Sequence, residues 1–171
     1  TDGGATYGQV AKLTAADAAY GDQFGVSVAI YGGTVVVGAY EGLLFSGSGS
    51  GSAYVFRTTD GGATYGQVAK LTAADAEAYD YFGYSVAIDG NTIVIGAYEY
   101  DTIGTGKAYV FHTSDGGATY VEVAKLTASD ATSDDDDFGW SVAIKGNTIV
   151  VGARGDDNYT GAAYVFRTLD G

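Results

Sequence analysis

FGWSVAIKGNTIVVGA, residues 138–153, is the stretch that decides the fold. Its first seven residues alternate, with Phe138, Trp140, Val142 and Ile144 on one side and Gly139, Ser141 and Ala143 on the other. That is the period-two pattern of a strand, and its small side lets a neighbouring sheet come close. Gly146-Asn147 supplies residues that tolerate positive φ and close a tight hairpin. Ile149 to Val151 is then a continuous apolar run, as in a central strand covered on both faces, and it ends in Gly152-Ala153.

The same string stands at 24–39 (FGVSVAIYGGTVVVGA) and 82–97 (FGYSVAIDGNTIVIGA), and the step from Phe-Gly to Gly-Ala is 14 residues each time. A third strand follows at Ala53–Phe56, Ala108–Phe111 and Ala163–Phe166. A fourth is expected at Tyr7–Thr14, Tyr65–Thr72 and Tyr120–Thr127, where Lys12, Lys70 and Lys125 suit an outer edge. Thr1–Ala18 recurs letter for letter at Thr59–Ala76 and with few changes at Ser114–Ala131, and the markers Asp2, Asp60, Asp115 and Asp170 give periods of 58, 55 and 55 residues. Such a unit holds one four-stranded sheet and must pack on its neighbours. The 171 residues therefore read as one all-β body, with repeats at about 2–59, 60–114 and 115–170. Twenty-eight glycines and no proline fit short strands with tight turns.

The order Phe-Gly, apolar strand, Gly-Ala, then Gly-x-Ala-Tyr-Val-Phe resembles the FG-GAP repeat of integrin α-subunit propellers and of many secreted bacterial and algal proteins. The resemblance implies four-stranded antiparallel β-propeller blades whose innermost strands start at Phe24-Gly25, Phe82-Gly83 and Phe138-Gly139, with the lysine-bearing strands outermost. Many relatives carry a D-x-D-x-D-G calcium loop between the first two strands. Here that link is only Tyr31-Gly32-Gly33, Asp89-Gly90-Asn91 or Lys145-Gly146-Asn147, so that site does not transfer. The hairpins Thr58–Tyr65 and Thr113–Tyr120 resemble the Asp-box of sialidase-type propellers, in which Asp60 and Asp115 would accept N–H bonds within their own turns.

A net charge of −13 disfavours nucleic acid and anionic membranes and favours cations. The acidic links before each Phe-Gly contain Asp17 and Asp22; Asp75, Glu77 and Asp80; and Asp130 with Asp134, Asp135, Asp136 and Asp137. That last run is the candidate Ca²⁺ site, because hard cations take several oxygens, against the plainer reading of a solvated loop; Asp156 and Asp157 are a weaker candidate. Catalysis finds little support: His112 is the single histidine, cysteine is absent, and Arg57, Arg154 and Arg167 are too scattered for a sialidase site. Tyr40, Tyr98, Tyr100 and Tyr159 could stack on sugars or simply cap the sheet. Asn158-Tyr159-Thr160 is an N-glycosylation sequon, and Ser46–Ser52 a flexible insertion.

Propellers close with roughly four to eight blades, so three need completion by flanking repeats of a longer chain or by head-to-tail association with another copy, as a closed pair or a filament. The chain starts and stops within Asp-box-like hairpins, which makes Tyr7–Thr14 the expected donor strand. A three-sided β-prism lectin is the alternative fold. The expected function is a non-enzymatic extracellular or cell-surface segment with a structural or adhesive role, binding itself or cell-surface proteins. The alternatives are a glycan-binding module using the rim loops and, third, an acid-dependent hydrolase. No apolar run suggests membrane insertion.

Overall fold

The computed structural model describes residues 6–41, 49–99, 104–131 and 136–168. Blade 1 contains β1 (Val28–Tyr31), β2 (Thr34–Ala39), β3 (Ser52–Arg57) and β4 (Gly66–Leu71). Blade 2 contains β5 (Ser85–Asp89), β6 (Thr92–Ala97), β7 (Lys107–His112) and β8 (Val121–Leu126). Blade 3 contains β9 (Phe138–Lys145), β10 (Thr148–Ala153) and β11 (Ala162–Arg167), with one helical turn, α1 (Asp156–Tyr159), in its rim loop. Each sheet is an antiparallel meander in chain order, of four, four and three strands. The blades do not close into a ring.

Two-residue turns join the first two strands of every blade, pairing Tyr31 with Thr34, Asp89 with Thr92 and Lys145 with Thr148. Gly32, Gly90 and Gly146 take the positive φ at the first turn position, near +55 to +60°, and the second position stays negative, as a II′ hairpin requires.

The alternation read in the sequence sets how blades stack. The bulky side of blade 2, with Phe82, Val86, Ile88 and Tyr109, packs on the face of blade 1 formed by Val36, Ala53 and Val55. Phe138 and Val151 of blade 3 pack likewise on Val94, Ala108 and Val110 of blade 2. Each blade thus covers its predecessor, as in a repeat body stabilised by nearest-neighbour interfaces. Among the described residues the bulky side of blade 1 has no such neighbour, and Val28 and Ile30 are 67% and 64% exposed where Val86 and Ile88 are 9%.

Two sequence expectations need correcting. Tyr7–Thr14 forms no strand; it is irregular and largely exposed, because a strand needs a hydrogen-bonded neighbour and among the described residues no third strand lies beside it. The innermost strands of blades 1 and 2 begin at Val28 and Ser85, after Phe24 and Phe82. Gly25 and Gly83 turn the chain at φ +97° and +93°, and Phe82 joins the previous blade instead, through a parallel bridge to Gly51.

Candidate assembly interface

The junction between blades is built from the Phe-Gly step, the serine two residues beyond it, and the Gly-Ala end of the second strand. Phe82 donates its N–H to the Ser50 carbonyl at 2.9 Å, and Phe138 donates to that of Thr105 at 3.2 Å. Gly83 and Gly139 then turn their carbonyls back toward the preceding blade. Ser27 Oγ donates to the Gly83 carbonyl and Ser85 Oγ to the Gly139 carbonyl, each at 2.8 Å. Only glycine at positions 38 and 96 permits this, since a Cβ there would collide with those same carbonyl oxygens.

Further out, the fourth strand ties each blade to the link entering it. Lys70 on β4 bonds Asp17 at 2.6 Å, and Lys125 on β8 bonds Asp75 at 2.8 Å. Gln67 accepts the Ala16 N–H and Glu122 that of Ala74, both at 2.9 Å. The Tyr109 phenol donates to Asp75 at 2.9 Å. Asp17 and Asp75 are held below the usual carboxylate range mainly by their lysine bonds. Several carboxylates that the sequence offered to cations are therefore engaged within the chain.

Of the candidate Ca²⁺ run, Asp134 and Asp135 lie outside the described residues. Asp136 and Asp137 are buried, and Asp137 accepts from Arg154 Nε at 2.7 Å. Among the described residues no three acidic or histidine side chains gather as for a metal ion. Asp156 accepts the Tyr164 phenol proton at 2.9 Å. Asn158 falls in α1, and its side chain is outside the described residues, as are Tyr100 and residues 46–48 of the serine-glycine insertion. His112 is exposed at the end of β7 and lies 3.3 Å from Thr92 Oγ1.

Two of the rim tyrosines, Tyr40 and Tyr98, pack against other aromatic rings. Tyr40, Tyr81, Tyr84, Tyr98 and Trp140 form a continuous row across the three blades, with ring centroids 4.6–5.5 Å apart, and the Arg154 guanidinium caps it 3.5 Å above the Trp140 ring. Edge and tilted ring contacts of this kind add to the area they bury. Tyr159 stands apart, 64% exposed.

At the Asp-box hairpins, Asp60 accepts from the Thr64 hydroxyl at 2.6 Å, the Thr64 N–H at 2.9 Å and the Thr58 hydroxyl at 2.7 Å. Asp115 repeats the set with Thr119 and Thr113. The threonine bonds, those of Thr64 and Thr119 first, hold both carboxyls far below their ordinary value of 3.8. A carboxylate depressed on folding stabilises the fold above the unfolded value and loses that contribution as pH falls through the folded value. Asp60→Ala should therefore lower the melting temperature at pH 7, and the gap from the parent should narrow below about pH 4. A gap that does not change with pH would contradict this assignment.

Sequence reasoning names Asp80 among the acidic links but misses the buried cluster to which it belongs. Asp80 and Glu99 lie side by side, nearly buried, and Lys107 pairs with Glu99 and lies 3.8 Å from Asp80. Their signal was faint, because acidic residues are frequent in these loops and nothing in the sequence marks which ones are buried.

The chain matches the FG-GAP repeat over residues 7–56, 65–111 and 120–166, and the junction glycines and phenylalanines fall within those segments. This protein belongs to the FG-GAP repeat family. The three FG-GAP units form a β-propeller repeat module with open ends. No curated protein matches the sequence. In fold it is similar to Sqt1 of Saccharomyces cerevisiae at 10% identity and a TM-score of 0.50, over 87% of this chain and 36% of that one. The chain thus spans well under two thirds of that protein's resolved chain, and the likeness concerns fold alone.

Proposed function

We propose that this FG-GAP module is a non-catalytic building unit of the cell surface or extracellular space, structural or adhesive in role, whose open faces are completed by further units of the same kind. One observation carries the reading: residues buried at the internal junctions are exposed at the outer ones. Val55 and Val110 are 0% and 6% exposed, while Val165, at the same place in blade 3, is 67% exposed. Exposed sheet edges and apolar faces are liabilities that proteins keep covered. The family supports an extracellular setting, and among the described residues no helix is long and apolar enough to cross a membrane.

The experiment is a tandem protein carrying two copies of the chain in sequence. It should melt well above the single chain diluted until it is monomeric, because an outer junction becomes an internal one. An unchanged melting temperature would overturn the reading. Antibody labelling of intact cells tests the location: surface staining supports it, and staining only after permeabilisation argues against it.

A further inference from the structure

We propose that two copies of this chain close head to tail into a six-bladed ring, each laying its Tyr7–Leu13 segment along β11 of the other as the missing fourth strand. This rests on the reading above and names the partner as a second copy.

The chain already contains this pairing once. Tyr7–Leu13 (YGQVAKL) is identical to Tyr65–Leu71, which includes β4, and Ala163–Arg167 (AYVFR) is identical to Ala53–Arg57 of β3. In blade 1 those two sequences pair in a fixed register, Ala53 with Leu71, Tyr54 with Lys70, Val55 with Ala69, Phe56 with Gln67 and Arg57 with Gly66. The second set is unpaired in one copy: β11 has β10 on one side only, and Tyr7 and Val10 are 94% and 73% exposed. The same register would set Ala163 against Leu13, Tyr164 against Lys12 and Phe166 against Gln9 of the partner copy.

Charge and shape agree with the strand match. Asp130 occupies the position of Asp17 and Asp75 and lies against Tyr164, with no lysine beside it among the described residues. Lys12 occupies the position of Lys70 and Lys125 and is exposed. The trailing face also keeps the junction groove, lined by Trp140, Ser141, Gly152, Arg154 and Gly161. Gly161 holds the place of Gly51 and Gly106, the residues that bridge to Phe82 and Phe138. Gly152 holds that of Gly38 and Gly96, yet a Cβ on it would meet Ser141 alone. Gly25 of the leading face likewise has open space where Gly83 and Gly139 meet the preceding blade. Docking Phe24-Gly25 of one copy into the groove of the other would let Ser141 donate to the Gly25 carbonyl. Two sets of the three described blades make six, a number within the roughly four to eight with which a propeller closes.

Sedimentation equilibrium of the 171-residue chain tests this, with an expected mass twice the 17.4 kDa of one copy. Gly152→Ala should abolish the dimer while keeping the parent circular dichroism spectrum, because Ser141 can rotate away from the new methyl but the incoming Gly25 carbonyl cannot. Lys12→Glu, on an exposed residue, should weaken dimerisation about tenfold, and Asp130→Lys added to it should restore it. A monomer at every concentration, a series that grows without closing, or a dimer indifferent to both Gly152→Ala and Lys12→Glu would overturn the proposal. If the tandem protein gains stability while the single chain stays monomeric, the completion reading stands and the two-copy ring falls.

Discussion

Gly83→Ala is expected to uncouple blade 1 from blade 2 at a cost of about 4 kcal/mol. Gly83 sits at φ +93°, and a Cβ there would collide with the Ser52 carbonyl and crowd the Ala39 nitrogen, both backbone atoms of blade 1. The dihedral alone costs about 1–3 kcal/mol for a residue with a side chain, and overpacking a tight contact adds about 1–3 kcal/mol. Gly25→Ala is the internal control. Gly25 has nearly the same dihedral, φ +97°, but nothing within 4 Å, so it should show the first contribution without the second in the single copy. In a body held together by nearest-neighbour interfaces, the damage should stay local. Amide exchange should accelerate across β1–β3 of Gly83→Ala while β9–β11 keep their protection. With both variants placed in the monomeric Gly152→Ala background, equal losses, or uniform loss of protection, would mean that the junction does not hold the blades together.

The strands and their order were legible because period two, Gly-Ala endings and tight hairpins repeat at fixed spacing, and three copies leave little room for misreading. The bulky and small sides of the innermost strand also foretold the one-sided stacking, since Phe82 and Val86 need a flat partner and Ala53 and Val55 provide it. Tyr7–Thr14 could not be read correctly from its letters. It has the same sequence as the segment that forms β4, and only the presence of a neighbour decides whether that sequence is a strand. The aromatic row and the serine-to-carbonyl bonds were also hidden, because the serine bonds join residues 54 and 56 positions apart in adjacent blades, the ring contacts follow no fixed spacing, and the letters alone do not state which ones meet. Ser27, Ser85 and Ser141 recur in every unit, so the signal was present as a repeated polar residue on an otherwise apolar or glycine-rich strand.

Lys107→Met should be about as damaging as the junction variant, and its deficit should also shrink on acidification, here because the carboxyl left behind is raised on folding where those of the Asp-box are lowered. Lys107 stands between two carboxylates whose side chains are only 3% and 9% exposed, those of Asp80 and Glu99. The other blades indicate why it is there. Blade 1 has Ser52 in its place, and its corresponding acids, Asp22 and Glu41, remain partly exposed to water; blade 3 has Ala162, and Gly155 replaces the second acid. Burial raises the Asp80 carboxyl above its ordinary value, with Glu99 contributing in the same direction. On Lys107 burial, the largest single effect, acts downward, but the bond to Glu99 and the charges of Glu99, Asp80 and Asp75 together outweigh it and the ammonium is raised. Removing one partner from a buried ionic cluster costs about 3–5 kcal/mol, because the charges left behind remain desolvated. A carboxyl raised on folding binds its proton more tightly in the folded state, so stability falls as pH rises through the folded value. Without the lysine that dependence should dominate: the urea midpoint of Lys107→Met should lie well below the parent's at pH 7 and recover toward it near pH 5. A midpoint unchanged at pH 7 would show that the lysine does not neutralise the pair. A deficit that deepens on acidification would show that Asp80 is stabilised as an anion by groups other than Lys107.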